Sequence, residues 1–303
     1  MIETSILIPT KNGGAEFDSC LRAVFGQRDV GPLEVIVVDS GSTDETLEIA
    51  QRYPVRVQQI SPEAFHHART RNYAAGLSRG EFLVFLSQDA IPVSDTWLSA
   101  MISNFEDRSV GAAYGRHLPK PGSTLERQDV LDAVYGEARV VKDLSRCKEL
   151  GYRCYHFSDV NAAIRRSVWQ YTRFPDELKV FEDLGIAKRI LHSGWKIVYE
   201  PRASVYHSHN HTALELFKRY FDGGITLKRL DIWNRQTRSS MLGDVAGLLR
   251  RKLHRFEGNG TTKRTSESVG QDLAKAAGLF LGLHERYLPL ALKRRLSAFR
   301  LFD

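Results

Sequence analysis

LEVIVVDSGSTDETLEIAQRY, Leu33 to Tyr53, holds one complete strand-to-helix unit. Leu33 to Asp39 is nearly all apolar and rich in valine, the composition of a strand buried on both faces. Asp39-Ser40-Gly41-Ser42 breaks the run. Ser42, Thr43 and Asp44 are then cap candidates, and Glu45 falls in the first turn of the helix that follows. The same alternation extends outward. Upstream lie the strand SILIPT (Ser5 to Thr10) and a helix over Glu16 to Gln27 with Phe17, Cys20, Leu21 and Val24 on one face. Downstream lie the weaker strand VRVQQI, a helix over Thr70 to Ser78, and the strong strand FLVFL, Phe82 to Leu86. Strands alternating with helices predict an α/β fold with a mainly parallel sheet flanked by helices.

An open parallel sheet binds ligands beyond the carboxyl ends of its strands. Those ends are Pro9-Thr10, Asp39-Ser40-Gly41-Ser42 and Ser87-Gln88-Asp89, so one edge collects two carboxylates and several hydroxyls. No GxGxxG turn follows the first strand and no GxxxxGK[ST] occurs, which argues against a dinucleotide fold and a P-loop.

The second half is less regular. VGAAYGRHLPKPGS predicts a strand running into a loop, FSDVNAAIRRSVW a strand or turn feeding a helix, and VFEDLGIAKRILHSG a helix stopped by Gly194. WKIVYEPRASVYHSH is extended and leads into His207, His209 and His211, whose spacing sets all three on one side of an extended chain. From about His211 the pattern is helical and basic, with EGNGTTKRTSES as a loop or linker. This predicts a domain over 1–210 and an extension over 211–303. Ser239 to Asp303 carries twelve Lys/Arg against six Asp/Glu, a net +6 of the chain's formal +7. MLGDVAGLLRRKLHRFEG sets Leu242, Val245, Leu249, Leu253 and Phe256 on a stripe beside arginines, and YLPLALKRRLSAFRLF repeats the mixture. Such helices suit an anionic membrane surface, a second subunit or the catalytic domain itself. No nucleic-acid motif accompanies the basic residues. The odd count of Cys20, Cys147 and Cys154 argues against a disulfide framework. The chain shows neither a leader nor a run of about 18 apolar residues, so a classical secretory signal and a spanning helix are not expected.

SILIPTKN, EVIVVDSGSTDET, TRNYAAGLSRGEFLVFLSQDA and FEDLGIAKRILHSGWKIVYEP resemble, in order, the motifs of family 2 glycosyltransferases with the GT-A fold, over about Thr4 to His211. More narrowly, FHHARTRN, FLSQDAIP and VYHSH resemble bacterial rhamnosyltransferases that use dTDP-L-rhamnose. The resemblance implies an inverting transferase moving a sugar, L-rhamnose in the narrower match, from its nucleotide carrier to a hydroxyl of a lipid-linked or cell-surface polysaccharide precursor. The donor and a glycan or polyprenyl-linked acceptor would be its partners, with a homo-oligomer as a further expectation. Its implied place is cytoplasmic, peripheral on the inner face of the cell membrane.

The resemblance also implies roles. Asp39 would accept the imino hydrogen of a uracil or thymine ring, with Pro9, Thr10 and Ser42 beside it, and Arg71 would neutralise the diphosphate. Asp89 would hold a divalent cation, Mg²⁺ or Mn²⁺, with His207 completing the metal site and Gln88 reaching the ribose or a sugar hydroxyl. Asp183 would be the general base, with Glu182 binding or orienting the acceptor. The family places an Asp-x-Asp type motif where SQDA keeps only Asp89. That departure keeps two alternatives in view: another nucleotide sugar, UDP- or GDP-linked, or a nucleotide-sugar-binding assembly protein with impaired catalysis.

Overall fold

In the computed structural model, which describes residues 3–121, 135–209, 211–234 and 262–302, the run Phe82–Leu86 is a fully buried strand, β4. It lies parallel to β1 (Thr4–Thr10), which in turn lies parallel to β2 (Leu33–Asp39), and β2 to β3 (Arg56–Gln59). β1 is thus the centre of a parallel four-strand sheet.

Beyond β4 the sheet becomes mixed. The remaining strands are β5 (Ile91–Pro92), β6 (Val110–Leu118), β7 (Val140–Lys142), β8 (Asn161–Arg165) and β9 (Lys196–Tyr206). β8 pairs antiparallel to both β4 and β6, while β9 runs parallel to β6 and takes β5 and β7 antiparallel. The mainly parallel arrangement therefore describes the alternating half of the chain, whose connections are helical. The later strands arrive through less regular connections that impose no parallel sense.

Burial on both faces explains the apolar strands. On one face Ile6, Ile8, Val35, Val37, Val84 and Leu86 join Phe17, Leu21, Trp97 and Met101 in a single core. Alternate residues Leu7, Ile36, Leu83 and Phe85 are equally buried on the other, where the helix His67–Leu77 packs against β1 and β2.

Boundaries moved where backbone geometry intervened. The first helix is Gly14–Phe25, two residues ahead of its expected span, because Asn12 and Gly14 turn the chain at positive φ; the expected face is buried. The second begins at Thr46, whose amide reaches the Asp44 carboxylate at 3.1 Å. The third starts three residues early at His67. WKIVYEPRASVYHSH gives a strand through Tyr206, and VFEDLG opens the helix Glu182–His192.

The chain divides into two compact units: Met1–Arg146, His156–Glu177 and Glu182–Ser208 form the first, and Cys147–Tyr155, Leu178–Phe181 and His209–Asp303 the second. In the second, the helix Ala213–Arg229 opens with a reciprocal cap, Glu215 N donating to Thr212 Oγ1 at 3.2 Å and Thr212 N to Glu215 Oε2 at 2.8 Å. The helix Thr262–Leu283 begins inside the stretch expected as a linker and lies against it at backbone distance. A Cβ on Gly278 would come 2.2 Å from Phe217 O, and one on Gly282 would come 2.0 Å from Phe221 O. Asp222 receives the amides of Ala298 and Phe299 at 2.7 and 2.8 Å, anchoring the chain after the helix Leu290–Leu296. The expectation of no disulfide is corrected in part, since Cys147 and Cys154 are bridged across seven residues while Cys20 stays free and buried. An odd count argues against a framework and cannot exclude one local pair. The stripe Leu242, Val245, Leu249, Leu253 and Phe256 lies outside the described residues.

Gly282→Ala is expected to lower the stability of the folded chain by about 1–3 kcal/mol, because the obstacle is backbone and cannot swing aside. Gly76→Ala, in an open helical position with nothing within 4 Å of the added methyl, should instead stabilise by roughly 0.5–1 kcal/mol. Urea denaturation of both variants checks the contrast.

Candidate active site

Strand register brings the first group of predicted residues together. Thr10 stands opposite Asp39, and Leu7 opposite Phe85, so Ser87-Gln88-Asp89 runs past the ends of β1 and β2. Asp39 is fully buried, and its carboxylate is engaged within its own turn. It accepts the Gly41 amide at 3.0 Å and the Ser42 amide at 3.1 Å, together with the Ser42 hydroxyl. Gly41 has φ +83°, and the turn depends on that freedom. Four lone-pair sites on a carboxylate leave capacity for one further donor from outside.

Gln88 ties the two strand ends. Its Oε1 accepts the Thr10 hydroxyl and the Lys11 amide, the latter at 2.8 Å, and its Nε2 donates to Lys11 O at 3.1 Å. Pro9 is half-buried beside it and Thr10 is buried.

Asp89 and His207 meet as well. His207 Nε2 lies 3.6 Å from Asp89 Oδ2, and both side chains are mostly enclosed. Lys120 Nζ stands at 3.6 Å from the same oxygen and 2.7 Å from Glu16 Oε1. The pair fits a divalent cation: ligands of an octahedral ion at about 2.1 Å are about 3 Å apart, within a small side-chain adjustment of the observed spacing. Of the two expected ions, Mn²⁺ tolerates a nitrogen donor beside an oxygen better than Mg²⁺ does. Lys120 was invisible to motif reading, being a lone lysine between prolines. His209 and His211 belong to the second unit, their rings 5.6 Å apart.

The second group forms around Arg71. This residue is 7% exposed. Its Nη2 donates to Asp159 Oδ1 at 2.9 Å, and its Nη1 lies 3.1 Å from Glu182 Oε1. Burial lowers the proton affinity of the guanidinium, but Asp159, Glu182 and Asp183 outweigh it and the net direction is upward. Thus the arginine expected at a diphosphate is held between two carboxylates of the protein. His67 joins it, with Nδ1 at 3.8 Å from Glu182 Oε1.

Asp183, in the first turn of the helix Glu182–His192, retains partial solvent access. The Leu184 amide donates to it at 2.8 Å. Burial first, then the neighbouring charges of Asp159 and Glu182, push its proton affinity well above the ordinary carboxylate range. Asp159 is likewise pushed up to about 6, chiefly by burial, with Arg71 opposing. Just before these acids, Phe181 takes φ 58°, a costly conformation for an aromatic residue. Its ring lies where a Cβ on Gly223 would stand, 2.7 Å away. Asp159 was missed because FSDVNA resembles an ordinary turn before a strand.

The sequence profile described as Glycosyl transferase family 2 matches residues 5–172. The chain is 32% identical to the O-antigen chain rhamnosyltransferase WbaN of Salmonella anatum, over 98% of this chain and 94% of that protein. It is 29% identical to the O-antigen chain rhamnosyltransferase RfbN of Salmonella typhimurium, over 99% of this chain and 95% of that protein. Among solved structures, the mannosyltransferase PcManGT from Pyrobaculum calidifontis, in complex with GDP-Man and Mn²⁺, superposes with a TM-score of 0.62 at 16% identity, covering 94% of this chain and 88% of that one.

Asp159 and Asp183 hold protons in the folded chain at pH values where the unfolded chain has released them. Their contribution to stability is therefore present at low pH and is lost as pH rises through the folded titration range. Asp183→Asn removes that penalty. Its melting temperature should exceed that of the wild type by about 2 °C or more at pH 8, and the gain should vanish near pH 4; scanning fluorimetry at both pH values reads the difference.

Proposed function

The chain belongs to glycosyl transferase family 2, an inverting glycosyltransferase of GT-A fold, and from that premise we propose that it moves L-rhamnose from dTDP-L-rhamnose to a hydroxyl of a lipid-linked or cell-surface polysaccharide precursor. The observation that carries the sugar assignment is the near end-to-end likeness to two O-antigen chain rhamnosyltransferases. Catalysis is assigned to residues 1–210.

In this reading Asp39, Pro9, Thr10 and Ser42 receive the base, with Asp39 accepting the ring imino hydrogen through its remaining lone pairs. Gln88 joins the ends of β1 and β4 and offers its second amide hydrogen to a donor hydroxyl. Asp89 and His207 would hold Mg²⁺ or Mn²⁺, which when bound offsets the charge of the departing nucleoside diphosphate. Lys120 neutralises Asp89 when no cation is there. Asp183 takes the proton of the acceptor hydroxyl as that oxygen attacks the anomeric carbon from the face opposite the diphosphate. Its raised proton affinity favours this work, since a general base is most effective when it titrates near the working pH. Glu182 orients the acceptor, and Arg71 holds Glu182.

The extension over 211–303 is assigned to an anionic membrane surface. Tyr287, Leu290 and Leu292 are exposed, as are Arg286, Arg294 and Arg295 around them. Apolar insertion with flanking cations is the pattern such a surface attracts. No described helix is long and apolar enough to cross a membrane.

Three results test these assignments. Among nucleotide sugars offered with Mg²⁺ or Mn²⁺, dTDP-L-rhamnose should raise the melting temperature most; a larger shift with UDP-N-acetylglucosamine or GDP-mannose replaces the donor. Asp183→Asn should bind that donor almost normally and lose turnover by about 10² or more, whereas Asp89→Asn should weaken metal-dependent binding and turnover together. Sedimentation with phosphatidylglycerol vesicles should fall with added salt and with charge reversal of Arg286, Arg294 and Arg295; equal pelleting of that variant removes this face from the assignment.

A further inference from the structure

Arg71 and Glu182 have been given roles, but Asp159 has not. It precedes β8, is 4% exposed, and spends one oxygen on Arg71 at 2.9 Å. Its other oxygen, Oδ2, is buried without a hydrogen-bond partner among the described residues. A carboxylate serving only to fasten a helix would be expected to use both oxygens, because a buried unpaired acceptor is costly. Charge counting points the same way. Asp159, Glu182 and Asp183 surround a single guanidinium, so with all three ionised the cluster would carry uncompensated negative charge where two of the acids are under a tenth exposed.

We propose that Asp159 is a positioning residue of the transfer reaction, anchoring Arg71 so that Arg71 holds Glu182, and setting a second carboxylate beside Asp183. The proposal rests on the reading of Asp183 as the base. An ordinary aspartate is a weak base toward a hydroxyl; a like charge next to it strengthens its hold on the proton it must accept. The groups facing the two carboxyls are Arg71 and His67 from the helix His67–Leu77, Glu182 from the helix Glu182–His192, and Tyr135, with Ser158 against Tyr135. Losing the Asp159 charge should lower the Asp183 titration, whereas keeping the charge on a longer stem should preserve it.

The test titrates the full-length, substrate-free protein labelled with ¹³C at the aspartate carboxyls. In the wild type, Asp183 should titrate above the ordinary value of about 3.9, and the Asp159 and Asp183 signals should each carry the other's inflection. In Asp159→Asn the Asp183 titration should fall by about one pH unit or more, and in Asp159→Glu it should stay raised. An Asp183 titration unmoved by Asp159→Asn overturns the proposal. Should that variant not fold, single independent inflections in the wild type overturn it instead. Release of dTDP from dTDP-L-rhamnose supplies the kinetic counterpart: the acid limb of kcat should move to lower pH in Asp159→Asn by the same interval, with KM for the donor changed less than about threefold. Wild-type protein that does not turn over dTDP-L-rhamnose, or Asp183→Asn that turns it over normally, would defeat the functional reading and leave the carboxyl titration to judge Asp159.

Discussion

The parallel register of β1 against β2 and β4 is the constraint on which the chemistry depends. Because Thr10 pairs with Asp39 and Leu7 with Phe85, three chain segments distant in sequence leave the sheet at one edge. A slip of one residue would turn every side chain to the other face. Here that would turn Ile8, Val37 and Leu86 out of the core layer they fill together and carry Thr10 and Asp39 to the opposite face with them. The cost of such a slip is borne by the whole two-faced core, so the polar edge is held by hydrophobic burial at a distance from it.

The acids at Glu182 and Asp183 are placed differently. They begin a helix whose apolar face, Leu184, Ala187, Ile190 and Leu191, is buried, but packing alone would not keep carboxylates together. Arg71 does so, reaching from the helix His67–Leu77 to two acids at once. Such a buried bridge gains little net stability, because desolvation consumes most of the attraction. Its value lies in direction: it fixes Glu182 and leaves Asp183 partly open to solvent and resistant to losing its proton. Stability is spent at this point, and a carboxyl with a raised proton affinity results, as the proposed role of Asp183 requires.

Elements governed by local rules were legible in the sequence. Leu33–Asp39 and Phe82–Leu86 read as strands because nothing but double-sided burial explains such runs, and the helical faces of Phe17, Cys20, Leu21 and Val24 follow from spacing. Helix starts were misplaced by two or three residues where a positive φ or a histidine, neither a strong signal, sets the boundary. The candidate residues at strand ends could be collected from topology. What could not be read is which charges face one another. Arg71 lies 88 positions from Asp159 and 111 from Glu182, and no periodicity links them. The same limit hid Lys120 beside Asp89, and the Cys147 to Cys154 bridge, which an odd cysteine count neither requires nor forbids.

The departure at SQDA has a physical account in these contacts. An acid in place of Gln88 could accept the Thr10 hydroxyl and the Lys11 amide, but it could not donate to Lys11 O, and its charge would face that carbonyl. The amide satisfies both sides of the backbone at the end of β1. Gln88 is thus a tie between two strand ends, and Asp89 stands beside a histidine from the end of β9, the pair that in the proposed reading would hold a cation. Lys120 Nζ at 3.6 Å from the same oxygen supplies a positive charge opposite that carboxylate. A second acid at position 88 would add charge that a single ammonium could not balance, so the one-carboxylate edge and the lysine beside it belong to the same solution.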